Sequence, residues 1–208
     1  MAFPVPAARP RQPRAGTPET GAERALLELL DAEARIADLE RALGEARAAA
    51  LTDALTGAYN RRGLADAYQR EAARMQRHGR AMALALIDLD DFKRINDTLG
   101  HDAGDQALIH LVGVLRSTLR PSDLLCRFGG EEFAVLLPET SLAEAAAAIT
   151  RSQQQLGTHP LPDAGLVLRF SAGVVSARPG ESLEQAIARA DCATYAAKRA
   201  GKNRVVQG

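Results

Sequence analysis

A chain of 208 residues has room for one good-sized domain plus an extension. Its 26 basic and 26 acidic side chains cancel, so no overall field draws in nucleic acid or an anionic membrane surface. The longest apolar runs, such as Ala81 to Ile87, are far too short to span a bilayer.

Residues 1–20 carry Pro4, Pro6, Pro10, Pro13 and Pro18 among Arg9, Arg11 and Arg14, without the apolar stretch of a secretion signal. They are expected to form a disordered tail. Thr20 and Glu23 make a capping box that opens a helix near Gly21. Ala25, Leu29, Ala32, Ile36, Leu39, Leu43, Ala46 and Ala50 then recur at alternating steps of four and three, a heptad seam. With Leu29, Ile36, Leu43 and Ala50 at position a, Arg35 falls at g and Glu40 at the following e, where they would pair across a parallel dimer. Glu28 and Glu33 would meet there with like charge. Residues 21–50 are expected to be a coiled-coil dimerisation helix; the alternative is a lone amphipathic helix lying on the domain.

Beyond Leu51 the pattern alternates. A helix is expected from Arg62 to Arg77, then a buried strand from Met82 to Ile87 ending at Asp88. A helix from Asp102 to Leu119 precedes a hairpin near 124–137, whose tip is Gly129-Gly130. Ser141 and Glu144 cap a helix to about Gln155. Leu166 to Val174 reads as a half-buried strand with Leu168, Phe170, Ala172 and Val174 inward. Ser182 caps a last helix to Arg199, and Arg204 to Val206 can add an edge strand. The order β-α-β-β-α-β predicts an α+β domain of ferredoxin-like, split βαβ type. Cys126 and Cys192 belong to no motif and are expected as small buried hydrophobes in a reduced, cytoplasmic setting.

The chemistry concentrates in Gly129-Gly130-Glu131-Glu132-Phe133. Glycine at the tip allows positive φ and lets a ligand's phosphates approach bare backbone. Asp88 ends a strand that neighbours the hairpin, so it can reach Glu131 and Glu132. If the first strand continues, Asp90 turns to the same side as Asp88. Three carboxylates without convergent His or Cys favour hard oxygen ligation, Mg²⁺ or Mn²⁺ rather than Zn²⁺. Two such ions would suit an in-line phosphoryl displacement. His78, His101, His110 and His159 form no cluster.

Several motifs then agree at once. Residues 51–208 resemble a GGDEF domain, the diguanylate cyclase family, with Glu131 in the variable D/E position. The resemblance rests on Asp53-Ala-Leu-Thr-Gly57-Ala-Tyr-Asn60-Arg61-Arg62, Asp88-Leu-Asp-Asp-Phe92-Lys93-Arg-Ile-Asn96-Asp97, Gly100-His101-Asp102-Ala-Gly104-Asp105, Arg127-Phe-Gly-Gly-Glu-Glu-Phe133 and Ala197-Lys198-Arg-Ala-Gly201-Lys202-Asn203. It implies a palm-like nucleotidyl cyclase fold and condensation of two GTP into cyclic di-GMP across a homodimer. It further implies that Asp88, Glu132 and the Leu89 carbonyl hold two Mg²⁺, and that Glu131 binds metal or helps deprotonate the 3′-hydroxyl. Asn96 and Asp105 would read guanine, since an aspartate accepts from the N1–H and exocyclic amine that adenine lacks on that edge. Phe92, Gly129 and Gly130 would line the substrate. Lys93, given a catalytic role, with Lys198 and Lys202 would neutralise phosphate charge. Lys202 departs from the usual arginine and loses the bidentate fork. Ala58 and Thr194 depart from bulkier apolar residues and read as packing differences.

Arg120-Pro-Ser-Asp123 has the RxxD form of the family's product-inhibition site, and Arg151 falls where relatives make a second inhibitory contact. A surface salt bridge after a helix is the bland alternative. Two other functions compete with the cyclase: a degenerate nucleotide-binding module without turnover, and a dimerisation protein whose helix is its purpose. Retention of all three carboxylates favours the enzyme. Partners expected are GTP, cyclic di-GMP and a second copy of the chain, with no nucleic acid and no membrane.

Overall fold

The computed structural model describes residues 21–162 and 164–208, the side chains of Ala22, Arg47 and Ala48 excepted. The proline-rich tail and Thr20 of the first capping box lie outside the described residues. By its contacts the chain divides into two units, residues 1–45 and 46–208.

Helix α1 runs Gly21–Leu51. It is laced by intrahelical pairs, Arg24–Glu28 at 3.3 Å, Arg35–Asp31 at 3.0 Å and Arg41–Asp38 at 2.7 Å. Arg35 is thus engaged within its own helix. Leu29, Ile36, Leu39 and Leu43 of the seam are 49–69% exposed, and so are Leu26, Leu27 and Leu30 beside them at 52–56%. No described helix is long and apolar enough to cross a membrane.

The second unit is an α+β sandwich. Its elements are α2 (Arg61–His78), β1 (Met82–Leu89), α3 (Phe92–Leu99), α4 (His101–Thr118), β2 (Leu124–Arg127), β3 (Glu132–Pro138), α5 (Leu142–Thr158), β4 (Phe170–Ser176), α6 (Leu183–Arg199) and β5 (Val205–Gln207). The strands form one sheet in the order β2-β3-β1-β4-β5. β1 lies antiparallel to β3 and β4, and β5 joins β4 in parallel. This is the split βαβ topology with an added edge strand. The capping boxes at Ser141 and Ser182 both form, with Glu144 and Gln185 closing them.

Alternation along β1 sends its side chains into two separate cores. Ala83, Ala85, Ile87 and Leu89 pack with Leu108, Leu111 and Leu115 of α4 and Ile149 of α5. Met82, Leu84 and Leu86 face Leu64 and Tyr68 of α2 and Ala186 and Ala190 of α6. Asp88 continues this second series and emerges at the sheet's end under α6. Glu132 follows it, sharing the face of Ala134 and Leu136. Helix α6 reaches the sheet closely because Gly173 has no side chain: a Cβ there would overlap the Ala190 carbonyl and the Thr194 amide. The Thr194 hydroxyl donates to Leu86 O at 3.1 Å, so this departure from an apolar residue ties α6 to β1 rather than only filling space.

Several elements differ from expectation. α3 lies between β1 and α4, where no helix was expected. It is eight residues long and buries only Ile95, too short and polar to impose a visible period. β4 begins at Phe170, not Leu166, and is buried on both faces rather than half-buried. Leu168, Phe170, Ala172 and Val174 do share one core, while Val175 fills the other. Cys126 is buried and its thiol is pushed up to about 12 by burial. Cys192 is exposed, against expectation, because it lies on the outer side of α6.

Candidate active site

The hairpin of β2 and β3 turns through Phe128, Gly129, Gly130 and Glu131. Phe128 and Gly129 donate to Glu132 O at 2.7 and 3.1 Å, and Leu89 N donates to Glu131 O at 3.2 Å. Neither glycine adopts the positive φ that glycine allows. Gly129 makes room of another kind: a Cβ there would overlap the Glu132 carboxylate folded back over it, and that side chain would have to move. Gly130 has open space around it.

Asp88 and Glu132 are register partners on β1 and β3. Burial raises the Asp88 pKa despite Lys198, whose Nζ lies 2.6 Å from its Oδ2. Burial, then repulsion from Asp88 and from Asp191 on α6, raises that of Glu132, and Glu131 adds to it. Two facing carboxylates, crowded and short of water, form a hard-oxygen donor pair that a divalent cation would relieve. The donor set therefore fits Mg²⁺ or Mn²⁺. Among the described residues, no three His, Cys, Asp or Glu side chains already stand in a metal-holding group. Asp191 was missed in the sequence; its place seven residues before Lys198, hence on the same helical face, is the signal that reveals it.

Asp90 does not face the site. The strand ends at Leu89, and Asp90 is buried, accepting from Ser171 Oγ at 2.8 Å and Asn203 N at 2.9 Å. It anchors the closing loop, in which Gly201, Lys202 and Asn203 all have positive φ. Lys202 pairs with Asp91 at 2.7 Å, which lowers the Asp91 pKa. Lys198 and Lys202 therefore both reach the end of β1, while Lys93 is exposed on α3.

Phe92 and Asn96 converge on the start of α4. Gly104 lies against them, since a Cβ there would overlap Asn96 Oδ1 and crowd the Phe92 ring. Asp105 is exposed beside this corner. The structure thus brings together Asp88, Glu132 and Lys198, and separately Phe92, Asn96 and the Gly104-Asp105 step.

Arg120 and Asp123 form a tight turn, with Arg120 N donating to Asp123 Oδ2 at 2.9 Å. They line a 260 Å³ cavity with Tyr59, Arg116 and Leu125. Asp123 Oδ1 is buried without a hydrogen-bond partner, and burial raises its pKa. Arg151 is exposed on α5 and does not line this cavity.

The fold is a split βαβ sheet of α+β class, with paired carboxylates at a glycine turn and basic side chains beside them. Residues 50–204 match the family described as diguanylate cyclase, GGDEF domain, and the chain belongs to that family. It is similar to the diguanylate cyclase DgcP of Pseudomonas aeruginosa, 44% identical over 165 residues, covering 78% of this chain and 25% of that one. It therefore spans only a quarter of that relative. Among solved structures, the coiled coil and GGDEF domain of DgcB from Caulobacter crescentus, in complex with c-di-GMP, superposes with a TM-score of 0.81 at 31% identity, covering 88% of this chain and 99% of that one. The diguanylate cyclase SiaD of Pseudomonas aeruginosa, in complex with its activator SiaC, gives 0.76 at 38% identity over 89% and 72% of the two chains.

Proposed function

We propose that this chain is a diguanylate cyclase that condenses two GTP into cyclic di-GMP. The observation that carries the reading is the facing pair Asp88–Glu132 beneath the glycine turn, with Lys198 against it. Each 3′-hydroxyl attacks the α-phosphorus of the other nucleotide, the bond to the β-phosphate's bridging oxygen breaks, and pyrophosphate leaves. Asp88, Glu132 and the Leu89 carbonyl are the groups to hold divalent cations, which when bound supply charge stabilisation at the phosphoryl oxygens. Glu131, at the tip of the turn, would bind a cation or accept the 3′-hydroxyl proton. Asn96 and Asp105 read guanine from the α3–α4 corner, with Phe92 beside them. Lys93, Lys198 and Lys202 meet the phosphates, and the amides of Gly130 and Glu131, which donate to no protein acceptor among the described residues, face the same charge.

Two further parts belong to the same reading. The exposed seam of α1 pairs two chains so that two half-sites meet, a reading supported by the likeness to the coiled coil and GGDEF domain of DgcB. The 260 Å³ cavity at Arg120 and Asp123 takes product as inhibitor; the unpartnered Asp123 oxygen calls for a donor, which guanine's N1–H and amine would supply.

The deciding experiment incubates the full chain with GTP and Mg²⁺ and resolves the nucleotides by chromatography. Cyclic di-GMP with two pyrophosphates per product is expected, and none of either without the cation. GTP bound but unconverted would overturn the cyclase reading in favour of a binding module.

A further inference from the structure

Three peptide units of the signature turn are held by hydrogen bonds, and those bonds divide unevenly. The Phe128–Gly129 unit is held at both ends: Arg61 Nε donates to its carbonyl, and its N–H donates to Glu132 O. The Arg61 guanidinium also stacks over the Phe128 ring, 4.2 Å from its centroid. The Glu131–Glu132 unit is held by Leu89 N. The Gly130–Glu131 unit is held by one group among the described residues, Arg127, whose Nε and Nη2 donate to Gly130 O at 3.1 and 2.9 Å.

Glycine peptides turn over easily, because no Cβ restrains them. In a trans peptide the C=O and N–H point in opposite directions. Whatever grips the Gly130 carbonyl therefore aims the Glu131 N–H the other way and fixes where the Glu131 carboxylate starts. Arg127 is not free to wander: its Nη1 lies 3.3 Å from both carboxylate oxygens of Asp53. That carboxylate is itself fixed by Thr56, whose amide and hydroxyl donate to Oδ1 at 2.9 and 2.6 Å. Both side chains are largely shielded, at 18% and 23% exposure. The guanidinium's rigid fork is what allows one side chain to serve Asp53 and Gly130 at once.

We infer that Asp53 and Arg127 are positioning residues that lock the Gly130–Glu131 peptide in one orientation, Asp53 acting through Arg127, so that the Glu131 amide and carboxylate are presented toward the nucleotide phosphates. The catalytic consequence rests on the cyclase reading above; the locking of the peptide does not.

Two substitutions separate the parts. Arg127→Lys keeps the charge and loses the fork. Asp53→Asn keeps an oxygen for the Thr56 turn and loses the charge that holds Arg127. In ¹⁵N-labelled, nucleotide-free full chain, the Glu131 amide is expected as one sharp resonance in the wild type and as a broadened or doubled one in each variant. Turnover of GTP is expected to fall about 10²-fold in kcat/KM for Arg127→Lys, the scale of a small misplacement of reacting groups. The double variant should be no slower than Arg127→Lys alone, because the two residues act in series. The inference is overturned if the Glu131 resonance stays single and unshifted in both variants, or if the two losses multiply. A wild type without condensation activity would sink the cyclase reading alone, and the amide resonance would still decide the lock.

Discussion

Asp88 and Glu132 stand opposite each other on antiparallel β1 and β3, on the face where α6 brings Lys198 to 2.6 Å from Asp88. Lys198, Asp191 and Glu131 add further charge around the pair. Removing either carboxylate takes away half of the donor pair but leaves both hydrophobic cores intact, since neither side chain contributes to them. Asp88→Ala and Glu132→Ala are each expected to lower cyclic di-GMP synthesis by at least about 10²–10³-fold while far-UV circular dichroism stays native. Near wild-type pyrophosphate release from either variant would contradict the proposed site.

The same crowding has a cost in stability. Burial, then Asp88 and Asp191, raise the Glu132 pKa above its ordinary 4.5. Within the window from 4.5 up to the raised value, the folded protein holds a proton that the unfolded chain has released. Stability is therefore full below 4.5 and falls as pH rises through the window. Glu132→Gln removes the charge and should melt higher than wild type at neutral pH in the absence of divalent cations. The difference should vanish at acid pH, where both side chains are neutral. A lower melting temperature at neutral pH would show that the carboxylate is stabilising.

Much of this was legible in the sequence. The apolar run ending at Asp88 and the glycine turn before Glu132 placed the two carboxylates on neighbouring strands, because a strand's period and a hairpin's register leave little freedom. Asp90 would join Asp88 only if the strand continued, and alternation cannot foresee where a strand stops; β1 ends at Leu89, and the Asp90 side chain turns to Ser171 and Asn203. α3 escaped because one buried isoleucine in eight residues sets no period. The signature glycines do not use the positive φ that glycine allows; Gly129 instead leaves room for the Glu132 side chain against it, a tertiary contact invisible to local pattern.

The two cysteines should behave oppositely. Burial pushes the Cys126 thiol up to about 12, so it has almost no thiolate at neutral pH and no access for a reagent. Cys192 is exposed. A thiol-specific reagent should modify one group in the native protein and a second only after denaturation. The Cys192→Ser variant should be unlabelled until unfolded; rapid native labelling of that variant would refute the packing of β2.

Arg120 contacts Asp123 through its backbone amide, so truncating its side chain leaves the turn in place. Arg120→Ala should therefore keep the initial rate of GTP condensation and lose the slowing that follows product accumulation. Progress curves with and without added cyclic di-GMP measure this. Identical curvature in wild type and variant would remove the inhibitory role from the 260 Å³ cavity.

The last expectation concerns α1. One site is proposed to bind one GTP, so the attacking 3′-hydroxyl must arrive on a second chain. Catalysis then becomes a problem of effective concentration, which a shared scaffold raises without any new contact at the reacting atoms. The seam of Leu29, Ile36, Leu39 and Leu43 is exposed along its length, and burying it against a copy is the favourable outcome for that apolar area. Its alanines at positions 25, 32, 46 and 50 bury little, so the pairing should be modest and open to rearrangement. Ile36→Lys with Leu39→Lys puts two charges into the seam at exposed sites that belong to neither core cluster. The double variant should be monomeric by light scattering, keep a native melting transition, and lose specific activity steeply at low enzyme concentration. Raising its concentration should restore part of the rate, because encounters replace the scaffold. A monomeric double variant as active per mole as wild type would show that the two half-sites meet by some other surface.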